Sequence, residues 1–312
     1  MLSVVISPAA LLCPITNRRR RGLPNITRAQ GLVGDARHAK MAARADVFLF
    51  LFPAYWRMNA LAIALGCVPV AAAAAAAAAW GAVNPGSQLF GPTLRRTKSS
   101  GSIALTFDDG PNPSITPALL DLLERHSAHA TFFVIGRFAR ACPELVREIA
   151  ARGHAIGNHT DTHAPLAWLS AQRIGVELAR CQEAVVAATQ AQPPAWMRPP
   201  FGFRGPQLRG AVRRAGLAGV AMWSLTCYDW KPQPAARLIA RLGRTRGADK
   251  AASAGAGRGG EIVLLHDGDH RALGGDRAHV VTALEYWLPR WRDQGVEFVT
   301  IEQVSGQTRG AR

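Results

Sequence analysis

Two adjacent carboxylates, Asp108 and Asp109, follow directly after the apolar run SIALTF at residues 102–107. The run predicts a buried strand, and two like charges at its end push their pKa values apart unless something compensates them. A metal ion provides this compensation, because one carboxylate can bind the cation while the other stays ionised as a general base toward water. The pair therefore indicates a site where a cation and a water molecule meet.

Two histidines, His159 and His163, follow a later strand-like segment in the sequence HTDTH. With one carboxylate they would form a site of two histidines and one carboxylate, with positions left open for water and substrate. This donor set serves either a hydrolytic zinc centre or a non-haem iron oxygenase. Thr160 stands where a metalloprotease of the H-E-x-x-H type needs its glutamate, which excludes that class.

The ends of three further strand-like segments also carry groups that could do chemistry. They are Arg198 in RPPFG, Asp229 and Trp230 in YDW, and His266 in HDGDH. Because the loops at the carboxyl ends of barrel strands converge over one mouth, we expect these groups to meet. An oxygenase needs neither a second carboxylate nor a facing acid, whereas His266 can protonate a leaving group, so hydrolysis is favoured.

The elements that must position these groups alternate regularly after Gly101. The segments that predict strands are 102–107, 130–135, 154–158, 195–198, 219–225, 261–265 and 297–301. The segments that predict helices are 115–127, 143–152, 170–190, 206–215, 234–246 and 277–294. This alternation predicts a parallel α/β barrel, complete or partly open. The Gly- and Ala-rich insert 247–260 predicts a flexible loop without chemistry.

Five ordered motifs resemble those of the polysaccharide deacetylases with a NodB homology domain, carbohydrate esterase family 4. The motifs are TFDDGPNP, GNHTDTH, RPPFGFR, YDW and IVLLHD. The resemblance covers about Gly101 to Val304 and implies a distorted (β/α)7 barrel of the NodB type. It also implies an enzyme that removes N-acetyl groups from amino-sugar polymers or oligomers, such as peptidoglycan or a chitin-like glycan. The implied cofactor is one divalent metal ion, zinc or else cobalt or another divalent ion.

The same resemblance implies a role for each matching residue on the metal side of the site. Asp108 becomes the catalytic base, and Arg198 orients it. Asp109 becomes a metal ligand together with His159 and His163. The two adjacent carboxylates thus receive different roles.

The remaining matching residues are implied to handle the leaving group and the acetyl group. His266 becomes the acid that protonates the leaving amine, with Asp229 paired to it. The backbone N–H of Phe201 becomes part of the oxyanion site. Trp230 and Leu264 become the walls of the pocket for the acetyl methyl group.

Two positions depart from the family pattern, and several activities stay open. Phe201 stands where a tyrosine is commoner, and Thr226 stands where many relatives have an aspartate, but neither change removes a catalytic group. The motifs do not separate an N-deacetylase from an O-acetyl esterase or a formamido-sugar deformylase. A non-catalytic carbohydrate-binding barrel and a non-haem iron oxygenase are less favoured alternatives.

The chain begins with a basic segment and an apolar run. Residues 1–100 carry +10 of the formal net charge of +16, including the run Arg18 to Arg21. Basic residues ahead of an apolar segment follow the positive-inside pattern, so nucleic acid is not the expected partner. Met58 to Val83 has no charged residue and predicts a single membrane anchor or, less favoured because the lead-in is long, a cleaved signal. The domain that follows is expected outside the cytoplasm, on the cell membrane or secreted if the segment is cleaved.

These patterns divide the chain into five predicted regions. They are a basic lead-in at 1–57, an anchor or signal at 58–83, a Pro- and Gly-rich linker at 84–100, the deacetylase domain at 101–305 and a tail at 306–312. Met41 and Met58 are alternative starting points of the chain. Cys142, Cys181 and Cys227 of the domain show no metal-ligand spacing and stay open between a disulfide and buried thiols. The sequence does not predict an oligomeric state.

Overall fold

The computed structural model describes Asn59, residues 66–245 and residues 259–306. The predicted lead-in, nearly all of the insert at 247–260 and the tail after residue 306 lie outside the described residues. By its internal contacts the chain divides into two compact units, Met1–Val68 and Pro69–Arg312. The described residues of the first unit, Asn59 and residues 66–68, are helical. The second unit holds every strand described below.

The strands and helices alternate along the second unit, as the sequence predicts. The described strands are β1 (Thr93–Leu94), β2 (Ser102–Gly110), β3 (Ala130–Val134), β4 (Ala155–Asn158), β5 (Trp196–Met197), β6 (Gly219–Ala221), β7 (Leu225–Thr226), β8 (Glu261–His266) and β9 (Glu297–Phe298). The described α-helices are α1 (Gly66–Val83), α2 (Thr116–Arg125), α3 (Gly136–Ala141), α4 (Pro143–Ala151), α5 (Ala171–Thr189), α6 (Leu208–Arg214), α7 (Ala235–Leu242), α8 (Ala278–Asp293) and α9 (Ile301–Ser305).

The central strands are buried along their whole length. Every residue of β2, β3 and β8 is buried, which is the pattern of parallel strands covered by helices. Phe107 of β2 stacks on Phe132 of β3, with ring centroids 4.9 Å apart. Trp291 of α8 is fully buried and belongs to the same apolar cluster. The strands that carry Asp108, Asp109 and His266 are thus buried on both faces.

The sheet is parallel, and it curls back on itself. Its strand order is β1-β6-β5-β4-β3-β2-β8-β7, with β9 paired to the start of β2. β6 and β7 follow each other directly in the chain. Nevertheless β6 pairs with β5 near one end of the strand order, whereas β7 pairs with β8 at the other end, so the two ends of the sheet are close together. This confirms the predicted distorted α/β barrel.

The structure differs from the predicted elements in two places. The strand predicted at 219–225 is two short strands, because Ser224 donates its backbone N–H to Ile262 of β8 at 3.0 Å and redirects the chain. The segment 84–100, predicted to be a linker, contains β1, and its Arg96 lies 3.0 Å from Glu261 in an ion pair. This segment therefore packs on the barrel.

The end of α1 is attached to the barrel by Arg204. This guanidinium is buried and donates to the backbone carbonyls of Ser87, at 2.8 Å, of Gly81, at 3.2 Å, and of Asn84. The backbone N–H of Arg204 donates to Ala82 O at 3.1 Å. A charged side chain thus satisfies the carbonyl of Gly81 in the last turn of α1 and also binds the turn that follows the helix.

The three cysteines of the domain are free thiols. Cys142, Cys181 and Cys227 are all buried and unpaired. Burial raises the pKa of Cys181 and of Cys227 to about 12. Both thiols therefore remain protonated at neutral pH, as expected of inert buried cysteines.

Candidate active site

The adjacent carboxylates lie at the end of β2, where the strand is irregular. Its pairing with β3 shifts register between Asp108 and Gly110, and Asp109 has a φ of 72°. In a regular strand, successive side chains point to opposite faces of the sheet. A bulge redirects one of them, and both Asp108 and Asp109 line the same cavity.

Asp109 faces the two predicted histidine ligands. Its Oδ1 lies 3.4 Å from His159 Nε2 and 3.2 Å from His163 Nε2. This oxygen is buried and has no hydrogen-bond partner among the described residues. Burial by itself raises the Asp109 pKa, but the imidazoles of His159, His163 and His270 hold it well below its usual range. Asp109 is therefore an ionised carboxylate with one oxygen left for a cation.

The contacts of the two imidazoles suit metal binding. His159 Nδ1 lies 2.8 Å from the carbonyl oxygen of Arg198, so Nδ1 carries a proton and Nε2 is the nitrogen that faces Asp109. Burial lowers the pKa of His163 to about 4, which keeps this ring neutral at neutral pH. Neutral imidazoles and an ionised carboxylate are the protonation states that metal binding requires. The donor set and the unpartnered oxygen of Asp109 therefore fit a divalent ion.

Arg198 is fully buried and fixes one oxygen of Asp108. Its Nη1 donates to Asp108 Oδ1 at 2.8 Å and to Thr106 Oγ1 at 2.7 Å. Its Nε and Nη2 donate to the carbonyl oxygens of Ala221 and Met222, each at 3.2 Å. These bonds hold the Asp108 carboxylate in one orientation, with Oδ2 on the side of the metal ligands.

His266 and Asp229 form a second buried pair on the other side of the cavity. Asp229 Oδ1 lies 3.1 Å from His266 Nδ1, and Asp229 Oδ2 accepts the backbone N–H of His266 at 2.6 Å. Burial by itself lowers the His266 pKa, but the carboxylates of Asp229, Asp109 and Asp108 raise it to about 9. His266 is therefore protonated at neutral pH and can donate a proton.

One cavity of about 300 Å³ collects most of the predicted site. The predicted residues that line it are Asp108, Asp109, His159, His163, Phe201, Trp230, Leu264 and His266. The other two, Arg198 and Asp229, are fully buried behind Asp108 and His266. The structure thus brings all ten predicted residues together.

Strained backbone conformations concentrate around this cavity. Positive φ values of 72°, 66°, 62°, 58° and 55° occur at Asp109, Thr160, His163, Phe201 and Tyr228. Each costs a non-glycine residue about 1–3 kcal/mol and persists only where the surroundings impose it. Three of these five residues are predicted to bind the metal or the oxyanion, so the strain lies where side chains or N–H groups must be aimed.

Several residues in and beside the cavity are not among the ten predicted site residues. His270 has its ring Nδ1 3.6 Å from Asp109 Oδ2, and Trp223, Arg271 and Arg277 also line the cavity. His279 Nε2 lies 2.9 Å from the carbonyl oxygen of Asp229 and steadies that loop. A histidine four positions after His266 in HDGDH was the only sequence signal for His270.

Comparisons with known proteins identify the family of the chain. The family model for polysaccharide deacetylase matches residues 95–220. The chain is 36% identical over 213 residues to a chitooligosaccharide deacetylase of Azorhizobium caulinodans, covering 66% of this chain and 96% of that one. It is 36% identical over 220 residues to the peptidoglycan-N-acetylglucosamine deacetylase PgdA of Listeria monocytogenes, covering 69% of this chain and 41% of that one.

Solved structures show the same family likeness. A crystal structure of a peptidoglycan N-acetylglucosamine deacetylase superposes with a TM-score of 0.60 and 29% identity, covering 70% of this chain and 94% of that one. The barrel and these relatives together place the chain among the α/β-barrel hydrolases. Within that class, the chain belongs to the polysaccharide deacetylase family.

Proposed function

We propose that the protein is a metal-dependent deacetylase that removes N-acetyl groups from amino-sugar polymers or oligomers and releases acetate. The relatives named for chitooligosaccharide and for peptidoglycan deacetylation support an N-acetylated glycan as the substrate. The observation that carries the metal dependence is the buried Oδ1 of Asp109, which lies between His159 and His163 without a hydrogen-bond partner among the described residues. Zinc is the proposed ion, with cobalt or another divalent ion as alternatives.

The water side of the reaction uses the first carboxylate. A divalent ion held by Asp109, His159 and His163 would supply the Lewis acidity that makes water nucleophilic near neutral pH. Asp108 Oδ2 lies 3.8 Å from His159 Nε2, beside these ligands, and accepts the proton of the attacking water. Arg198 keeps the other oxygen of Asp108 occupied, so the carboxylate cannot rotate away.

The leaving-group side uses the second pair. Protonated His266 donates its proton to the amide nitrogen as the carbon–nitrogen bond breaks, and Asp229 holds the ring in place. The backbone N–H of Phe201 binds the developing oxyanion, a contact worth roughly 3 kcal/mol. Trp230 and Leu264 line the cavity and contact the acetyl methyl group. The products are acetate and a free amine.

Metal removal and reloading test this function. The full-length chain in detergent, stripped with a chelator, is expected to lose acetate release from N-acetylated chito-oligosaccharides and from peptidoglycan. One equivalent of zinc or cobalt per chain should restore it, because the ligands define a single site. Acetate release that persists in the stripped protein would contradict the metal dependence.

The same assay separates the alternative activities. Acetylated xylan tests the O-acetyl esterase, and a formamido-sugar tests the deformylase. Substrate-dependent oxygen consumption without acetate release would support the iron oxygenase on the same donor set. Failure on every substrate by a chain that binds glycan would support the non-catalytic barrel.

The loss of activity at alkaline pH should depend on Asp229. Since His266 must be protonated to donate, activity falls as pH rises through its pKa, which the neighbouring carboxylates raise to about 9. A bound cation offsets the charges of Asp108 and Asp109. Asp229 is then the main negative charge that raises the His266 pKa, and Asp229→Asn removes it. We expect this variant to move the alkaline limb of kcat/KM downward by about one pH unit or more.

The control for this experiment is Asp293→Asn, which removes an exposed carboxylate at the end of α8. It should leave the pH profile unchanged. An unshifted alkaline limb in Asp229→Asn would show that the limb reports a group other than His266.

We further propose that α1 anchors the protein in the cell membrane, with the catalytic domain outside the cytoplasm. It is the one helix among the described residues that is long and apolar enough to cross a membrane, with 18 residues, a mean hydropathy of 1.7 and 6% of the segment buried. The basic residues before it favour this orientation. Alkaline extraction of membranes checks the anchor: an anchored chain stays in the pellet, and release into the supernatant contradicts it.

A further inference from the structure

His270 lies in the loop after β8, next to the predicted metal ligands. Its backbone N–H donates to Asp109 Oδ2 at 3.3 Å, and its ring Nδ1 lies 3.6 Å from the same oxygen. The side chain is one-third exposed and lines the cavity. The loop thus brings a third imidazole to the carboxylate that already faces His159 and His163.

The ring of His270 also lies against His163. The two ring centroids are 4.2 Å apart, with the planes inclined by 19°. One donor atom each from Asp109, His163 and His270 can be chosen so that all three lie within 4.8 Å of one another. Two donors bound to one ion at about 2.1 Å each are at most about 4.2 Å apart. All three therefore reach the same ion if these separations close slightly and the stacked rings turn so that both lone pairs face it.

The position of His270 is imposed by the surrounding loop. The loop closes on itself through a bridge between Asp269 and Ala272. Arg137 Nη2, from α3, donates to the His270 carbonyl oxygen. Asp269 is held in turn by Arg271, whose Nε lies 3.1 Å from Oδ1. These contacts hold the backbone of His270 beside Asp109 without any contribution from its ring, which remains available as a ligand.

We propose that His270 is a fourth protein ligand of the metal ion, in addition to Asp109, His159 and His163. This inference rests on the proposed metal dependence. A third imidazole makes the donor set three nitrogens and one oxygen, which suits zinc, nickel, copper and iron. A five- or six-coordinate ion with these four ligands still has open positions for water and substrate.

The test is metal binding by the full-length chain in detergent, measured without reference to activity. X-ray absorption of the zinc-loaded protein should count three imidazoles, and His270→Ala should lower the count to two. The visible spectrum of the cobalt-loaded protein should change in the same variant. Affinity in a chelator competition should fall by more than the roughly 10- to 100-fold that loss of an outer-sphere partner costs.

Two controls make the result specific. His126→Ala removes a histidine from the end of α2 and should leave the imidazole count, the cobalt spectrum and the affinity unchanged. Thermal unfolding of the metal-free proteins should show that His270→Ala is folded. The conservative variant His270→Gln, which keeps the size of the side chain, should also lose one imidazole from the count.

The outcomes separate this inference from the proposed function. An unchanged imidazole count and cobalt spectrum in His270→Ala would overturn the fourth ligand and leave the three-residue site intact. This holds even if that variant is less active. Failure of the unaltered chain to bind zinc or cobalt would overturn both proposals.

Discussion

Replacing Asp108, the proposed general base, with asparagine is expected to lower kcat/KM for deacetylation by about 10²- to 10⁴-fold, the usual contribution of such a base. Asparagine keeps the size of the side chain and can still accept a bond from Arg198 Nη1, which lies 2.8 Å from Asp108 Oδ1. It cannot take a proton from water. Because Asp108 is not among the proposed metal ligands, the variant is expected to retain its metal ion.

The measurement pairs acetate release with metal analysis of the same preparation. Asp121→Asn, which alters an exposed carboxylate on α2, is the matched control and should retain full activity. An unchanged rate in Asp108→Asn would place the base elsewhere. Loss of the metal ion in that variant would instead make Asp108 a ligand.

Replacing Arg198 with methionine is expected to destabilise the protein by about 3–5 kcal/mol. Removal of one partner of a buried ion pair has this effect because the other charge stays buried without compensation. Here the orphaned group is Asp108, which is 3% exposed. The carbonyls of Ala221 and Met222 also lose their donors. The free energy of unfolding of the detergent-solubilised, metal-free chain, from urea denaturation, measures this effect.

The double variant Arg198→Met/Asp108→Asn separates the part of the destabilisation that comes from the unpaired charge of Asp108. It removes both charges, so it should be less destabilised than Arg198→Met alone, although its neutral amide still lacks a donor. Equal stability of the two variants would mean that Arg198 acts through packing and its carbonyl contacts rather than through the carboxylate. Arg152→Met is the matched control, since this side chain forms partly exposed ion pairs of small net value.

The chemistry of the site was predictable from local sequence. Each predicted group, such as Asp108, His159 or His266, stands at the carboxyl end of an apolar run. Apolar runs of this length predict buried strands without knowledge of the partners. In a parallel barrel all such ends lie at one mouth, so their convergence followed from the fold class. The same local patterns predicted the order of strands and helices.

The positions that sequence reasoning missed depend on contacts between distant segments. The break between β6 and β7 follows from the bonding of Ser224 to Ile262 of β8, 38 residues later. β1 forms because Thr93 and Leu94 find Val220 and Ala221 of β6 as partners. The pattern at 219–225 predicts one continuous strand, and the two residues of β1 are too few to predict any strand.

The placement of the two adjacent carboxylates shows most clearly what local sequence does not determine. The sequence alone determined that two adjacent carboxylates end a buried strand. It also determined that two histidines, His159 and His163, and the predicted proton donor His266 follow at the ends of other strands. Only the tertiary structure decided that both carboxylates enter one cavity, because the bulge at Asp109 is imposed by the strands and loops around it. Tertiary structure likewise brought His270 to Asp109 across 161 residues. Backbone strain and long-range pairing arise from packing as a whole, and for that reason no short stretch of sequence encodes them.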